Sequence, residues 1–208
     1  MMSTVVSSPV ASSPGSISPP ALYKFSVEQY HDMIRKGILK SGEPFELIEG
    51  ILVKKMTVNL PHIHATHRLM DLFVRGLPIS YVVFVQSPVT TPDSEPEPDI
   101  AVVRGDRSQF LAQGRKPGPE DTELLIEVAE SSLAFDRTTK LGIYARAGIR
   151  EYWIVDVINQ RVAVYTGPTG PGSAPTYQHR TDFVPGQEIP VMLDGREAIR
   201  GKVAELFL

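Results

Sequence analysis

The strand-like run from Glu123 to Ala129 constrains the fold more than any other part of the chain. Successive side chains of a strand point to opposite faces, so Leu124, Ile126 and Val128 share one face and Leu125, Glu127 and Ala129 the other. Apart from Glu127, both faces are apolar, as in a strand buried inside a sheet that is covered on both sides. Further short, β-branched runs lie at Tyr81 to Gln86, Asp99 to Val103, Tyr152 to Asp156 and Val162 to Tyr165, with a last one near Tyr177 to Thr181. Phe45 to Gly50 and Ile51 to Met56 read as two short strands around a turn at Glu49 and Gly50.

Helical signals alternate with these strands. Ser26 and Gln29 form a capping box that opens a first helix, and Gly37 ends it. A second helix is expected from Pro61, capped by Asn59 or Leu60, with Ile63, Thr66, Met70, Phe73 and Leu77 facing the core and His64, His67, Arg68 and Asp71 on its polar side. A third is capped by Asp136, turns Leu141, Tyr144 and Ala145 inward and stops at Gly148. Gly105 to Asp121 reads as a polar loop, and a short segment follows the last strand. The order predicts a mixed α/β (α+β) domain, a central mixed sheet flanked by helices, over residues 21–208. It contains no internal repeat.

Composition narrows the functions open to such a domain. With 208 residues the chain can bury roughly 70% of its unfolded surface without a disulfide or structural metal. It has no cysteine, which removes thiolate catalysis, zinc fingers and iron–sulfur ligation together. A net charge of −3 argues against coating nucleic acid by bulk electrostatics. Residues 1–20 contain seven serines, four prolines and no charge, and are expected to form a disordered tail rather than a signal or transit peptide. No apolar run approaches the roughly 18 residues of a membrane span, so a cytoplasmic protein without a membrane partner is expected.

The chemistry should lie at two acids in apolar strands. Glu127 is flanked on every side by apolar residues, and Asp99 is held by Pro96 and Pro98 at the start of its own strand. A buried, ionised carboxylate needs a cation, a proton or hydrogen-bond donors. Asp93, Glu95, Glu97 and Asp99 crowd one stretch without a base among them, and Lys140 follows on the next helix. Oxygen donors without cysteine suit Mg²⁺ or Mn²⁺ rather than zinc. A cation of this kind can activate water and stabilise charge on a phosphoryl oxygen, while a lysine orients the water. That combination suits phosphodiester hydrolysis. Between Ser131 and Arg150, Arg137, Lys140, Arg146 and Arg150 face only Asp136, an excess that could meet phosphates.

Pro98 to Val103, Ile126 to Ser132 and above all Asp136 to Asp156 resemble the Uma-two family, a bacterial group of endonuclease-like proteins in the PD-(D/E)XK restriction-endonuclease superfamily. Phe45 to Gly50 and Pro61 to His64 resemble that family's N-terminal signatures, so the likeness runs from about Tyr23 to Tyr165. It implies a restriction-endonuclease-like core and an endonuclease that cleaves nucleic acid, DNA being the expected substrate, with Mg²⁺ or Mn²⁺ as cofactor. It further implies Asp99 and Glu127 as metal ligands, Glu46 as the N-terminal acid supporting them, Lys140 as the catalytic lysine and His64 as a further site position. The superfamily's usual lysine, two residues after the acid, is Ala129 here, and Lys140 stands in for it from the following helix. Glu46 and Glu49 fall on opposite strand faces, so only one of them can point into the site.

Three histidines, His62, His64 and His67, raise a zinc-hydrolase alternative, but no HisGluXaaXaaHis arrangement accompanies them. Glycosidase chemistry lacks aromatic platforms, with Trp153 the only tryptophan. The main alternative is a nuclease fold used as a binding or scaffold module, which Lys140 pointing away from Asp99 and Glu127 would favour. A homodimer is expected on the ground that double-strand cleavage needs two sites.

Overall fold

The computed structural model describes residues 22–40 and 42–207. The expected N-terminal tail lies outside them. Helix α1 (Val27–Arg35) opens with the expected capping box: Ser26 Oγ accepts from Gln29 N–H, and Gln29 Oε1 from Ser26 N–H. Strands β1 (Phe45–Ile48) and β2 (Ile51–Lys54) form an antiparallel hairpin. Glu49 and Gly50 at its tip both have positive φ, 48° and 81°, as a tight two-residue turn requires. At Gly50 a Cβ would also lie 2.7 Å from Lys24 Cβ, because the N-terminal segment docks there through Phe25 N–H to Gly50 O.

Helix α2 (Leu60–Gly76) leads into the central sheet, whose strands are β3 (Tyr81–Val85), β4 (Ile100–Arg104), β5 (Thr122–Ala129), β6 (Glu151–Asp156), β7 (Arg161–Pro168) and β8 (Tyr177–Phe183). They lie side by side in that order. The β5–β6 pair is parallel and the others antiparallel, making the sheet mixed. The β5–β6 crossover is helical: α4 (Leu133–Phe135), a π-helical turn (Asp136–Lys140) and α5 (Leu141–Ala147), which ends at left-handed Gly148.

The alternation expected along β5 divides the core. Leu124, Ile126 and Val128 pack with Ala65, Leu69 and Phe73 of α2, while Leu125 and Ala129 pack with Ile143, Tyr144 and Ala145 of α5. All eight β5 residues are buried. Helices therefore cover both faces.

Several local expectations are corrected. Gly105 to Asp121 is not all loop, because Asp106 caps helix α3 (Arg107–Gln113) by accepting from Ser108 and Gln109 N–H. The C-terminal segment is a hairpin, β9 (Glu188–Leu193) and β10 (Arg196–Lys202), followed by a 3-10 turn (Val203–Leu206). Ile189, Val191 and Leu193 of this hairpin complete the α2-side core. Asp136 does not cap the third helix but lies within it, with helical dihedrals and its carbonyl accepting from Leu141 N–H. Of the expected inner stripe of α2, Thr66 and Phe73 are buried and Met70 and Leu77 pack against the core, but Ile63 is exposed, and His62, Ala65 and Leu69 complete the buried face. No helix among the described residues is long and apolar enough to cross a membrane.

Candidate active site

The sheet opens where β4 and β5 part. The last pair joining them is Ile100 with Ile126, and the carboxylate of Asp99 takes over the next backbone donor: Oδ2 accepts from Val128 N–H at 2.8 Å. His62 Nε2, from the first turn of α2, lies 3.1 Å from the same oxygen. Gln86 donates its backbone N–H to Asp99 O and reaches toward Oδ1 with its side chain, at 3.4 Å. Asp99 is thus fixed by a strand, a helix and a turn.

Glu127 sits on the opposite face of β5 from Val128, in the α5 side of the core. Its Oε1 accepts from Lys140 Nζ at 2.9 Å and from Tyr144 OH at 2.7 Å. The π turn helps to place these donors. An i to i+5 turn winds wider than an α-helix, and here it presents Asp136 and Lys140, one turn apart, to the same buried region. The lysine is 6% exposed. Its ammonium also lies 3.6 Å from Glu46 Oε1. Glu46 is buried and its Oε2 accepts from Glu97 N–H at 3.0 Å, whereas Glu49 turns outward to Arg146 at 3.0 Å. The acid that faces the site is therefore Glu46. Lys140 points at Glu127 and Glu46.

These groups line one cleft of about 700 Å³, whose walls include Glu46, Lys54, Lys55, His62, Gln86, Asp99, Glu127, Asp136 and Lys140. Four buried carboxylates, from Glu46, Asp99, Glu127 and Asp136, line the cleft with one buried ammonium, which faces Glu127, Glu46 and Asp136. Electrostatics register the excess. Burial pushes the Glu127 carboxyl well up, with Lys140 opposing and the other three acids reinforcing the rise. Burial likewise raises Asp136 to about 6, against the pull of Lys140. For Lys140, burial would lower the pKa, but Glu127, Glu46 and Asp136 outweigh it and hold the group cationic. Tyr144, buried beside Glu127, is held well above its usual range and stays a donor.

The donor set fits a hard divalent cation. It is all-oxygen, it carries surplus negative charge, and Asp136 Oδ2 is enclosed without a hydrogen-bond partner among the described residues. No three His, Asp or Glu side chains among the described residues converge as a ready-made cage.

The position of His64 differs from its expected place. It is exposed, and it lines a separate depression with Leu60, Pro61, Val157, Gln160 and Phe207. Helical phase explains this: two residues along α2 turn the side chain by about 200°, so His62 faces Asp99 and His64 faces away. The histidine beside the acids is His62, and Ala65, Leu69 and Phe73, projected back by helical spacing, identify its face. Tyr144 and Asp136 are further members that sequence patterning assigns only to packing and capping.

Two charge patterns also resolve differently from expectation. Of the acid run before β4, only Asp99 is fixed within the site; Asp93 pairs with Arg146, Glu95 with Lys116 and His31, and Glu97, at the cleft wall, with Lys55. The bases of the crossover helix are engaged internally: Arg137 with Asp156, Lys140 with Glu127, Arg146 with Glu49 and Asp93, and Arg150 with Glu123. They do not form an open phosphate-binding face.

A mixed sheet whose parting strands carry acids beside a buried lysine defines a restriction-endonuclease-like fold. The chain belongs to the Uma2 family, whose model, described as "Putative restriction endonuclease", matches residues 27–197. The fold is similar to a crystal structure described as "a putative nuclease belonging to DUF820" from Anabaena variabilis, with a TM-score of 0.66 at 18% identity over 88% of this chain and 97% of that one. No curated protein matches the sequence. Family membership and fold together support a nuclease function.

Proposed function

We propose that this protein is a cytoplasmic endonuclease that uses Mg²⁺ or Mn²⁺ to hydrolyse DNA phosphodiester bonds. The observation that carries the reading is the surplus of buried carboxylates around Lys140 in a cleft open to solvent. An uncompensated cluster of this kind costs several kcal/mol unless a cation or protons neutralise it. Among the described residues, the buried acids Glu95, Glu123 and Asp156 are matched by lysine or arginine, and Glu151 stands alone beside a neutral donor, Trp153, rather than in a cluster.

In this reading Asp99 and Glu127 hold the cation and Glu46 supports it. When bound, the cation supplies Lewis-acid stabilisation of phosphoryl charge and a lowered pKa for water. His62 and the Val128 N–H fix the Asp99 carboxylate, so its free lone pairs keep one direction. Tyr144 does the same for Glu127. Lys140, held cationic by its acidic neighbours, orients the attacking water and balances charge as the phosphoryl group reacts. Lys54 and Lys55 line the cleft and offer positive charge to the backbone of the substrate.

Purified protein should nick supercoiled DNA with Mg²⁺ or Mn²⁺ and not with chelator. Asp99→Asn and Glu127→Gln should abolish nicking while keeping the wild-type circular dichroism spectrum. Equal cleavage by the variants would refute the assignment.

A further inference from the structure

The crossover helix holds a carboxylate that no packing role explains. Asp136 is 1% exposed and lines the same cleft as Asp99, Glu127 and Glu46. Its backbone is fixed: Leu141 N–H and Tyr152 OH both donate to its carbonyl. Its side chain is held only from one side: Ser132 acts as a hydrogen-bond donor to the carboxylate, while Oδ2 has no hydrogen-bond partner among the described residues.

A structural aspartate at comparable depth looks different. Asp156 is 2% exposed, and its two oxygens accept from Asn159 N–H at 3.0 Å and Asn159 Nδ2 at 2.9 Å, with Arg137 at 3.6 Å. Such matching is the rule for buried acids, since an unpartnered ionised oxygen is costly. The other acids in the cleft each have an orienting donor: Glu97 N–H for Glu46, Val128 N–H for Asp99, Tyr144 OH for Glu127. Asp136 has Ser132 as a donor on its carboxylate, but Oδ2 is left without a partner among the described residues.

We infer that Asp136 is a further ligand of the divalent cation, completing an oxygen donor set with Asp99, Glu127 and Glu46. The inference rests on the metal-dependent reading above and extends it to a residue that neither the family description nor the sequence patterning assigns. A hard cation takes six or more oxygens, and a buried oxygen without a competing donor suits it. A proton could occupy Oδ2 in the absence of the cation, and the cation would replace it.

The test is Mn²⁺ binding by the full chain, followed by calorimetry and by the Mn²⁺-induced rise in melting temperature. Asp136→Asn should weaken Mn²⁺ binding about tenfold or more. Without cation it should keep the wild-type circular dichroism spectrum, because the amide preserves the shape of the carboxyl group. Asp136→Ser, which removes the carboxylate differently, should show the same loss of affinity. If Asp99→Asn abolishes binding while both Asp136 variants bind like wild type, the inference fails and the metal site stands without it. If wild type itself takes up no Mn²⁺, inference and metal-dependent reading fall together.

Discussion

Glu123 and Glu127 stand on one strand, 5% and 4% exposed, in opposite surroundings. At Glu123 the ladder slips between Val102 and Val103, and the carboxylate meets two guanidinium groups, Arg104 at 2.6 Å and Arg150 at 3.1 Å. Asp194, at the turn of the C-terminal hairpin, joins both arginines and accepts from Tyr81 OH at 2.5 Å. Acids and arginines are equal in number there. Glu127 has one ammonium, shared with Glu46 and Asp136. A buried glutamate in an apolar strand therefore does not mark a functional site by itself.

The sharpest way to break the comparison is to neutralise each glutamate. Glu127→Gln should lower DNA cleavage about a thousandfold, the scale of losing one pre-organised charge from a reacting site. Glu123→Gln should leave it near wild type. A comparable loss from Glu123→Gln would mean that the balanced end also takes part in catalysis.

Glu151, on the neighbouring strand, sharpens the contrast from a third side. No base contacts it among the described residues, and its Oε1 accepts only from Trp153 Nε1–H at 2.5 Å. Burial raises it from 4.5 to about 7, with that hydrogen bond opposing. Below the lower value both folded and unfolded chains are protonated. As pH rises through the interval the unfolded chain loses a proton that the folded one keeps, so the folded state loses stability. Glu151→Gln should therefore add about 2 kcal/mol at pH 8 and nothing near pH 4, measured by denaturant unfolding. A gain of equal size at both values would trace the effect to packing.

Smaller effects complete the series. Glu123→Ala leaves its arginines without their buried acid and should cost about 1–2 kcal/mol, reduced because both arginines are substantially exposed. His62→Ala should reduce cleavage about tenfold by freeing Asp99, and His64→Ala should not change it. The opposite order would restore His64 as the site histidine.

What the sequence makes legible follows from the range of the forces involved. The two faces of β5 are readable because a period of two leaves no choice of phase once one residue is assigned. Glu46, Asp99, Glu127 and Lys140 meet in one cleft, as their resemblance to the family implies. On α2 the resemblance points to His64, whereas a period of 3.6 carried back from Phe73, Leu69 and Ala65 puts His62 on the buried face. The β9–β10 hairpin carries a local signal, Asp194 and Gly195 at positive φ between alternating residues, that a reading focused on the preceding glycine-rich loop passes over. The neutralisation of Asp93, Glu95 and Glu97 has no local signal. Their partners Arg146, Lys116 and Lys55 lie far along the chain, and only tertiary structure brings them near.

The π turn limits how the chain can change in length. Between Asp136 and Lys140 the helix is one residue wider per turn than its flanks. Deleting Thr138 or Thr139 would return the segment to ordinary α-helical winding, and three α-helical steps turn through nearly the same angle as the four wider steps they replace, so Asp136 and Lys140 would stay on one face to within roughly 30°. Inserting a residue has the opposite effect, because the wide turn has already absorbed one, and it would swing either the acid or the lysine out of the cleft. Loss of one residue in this stretch should therefore spare DNA cleavage where gain of one abolishes it.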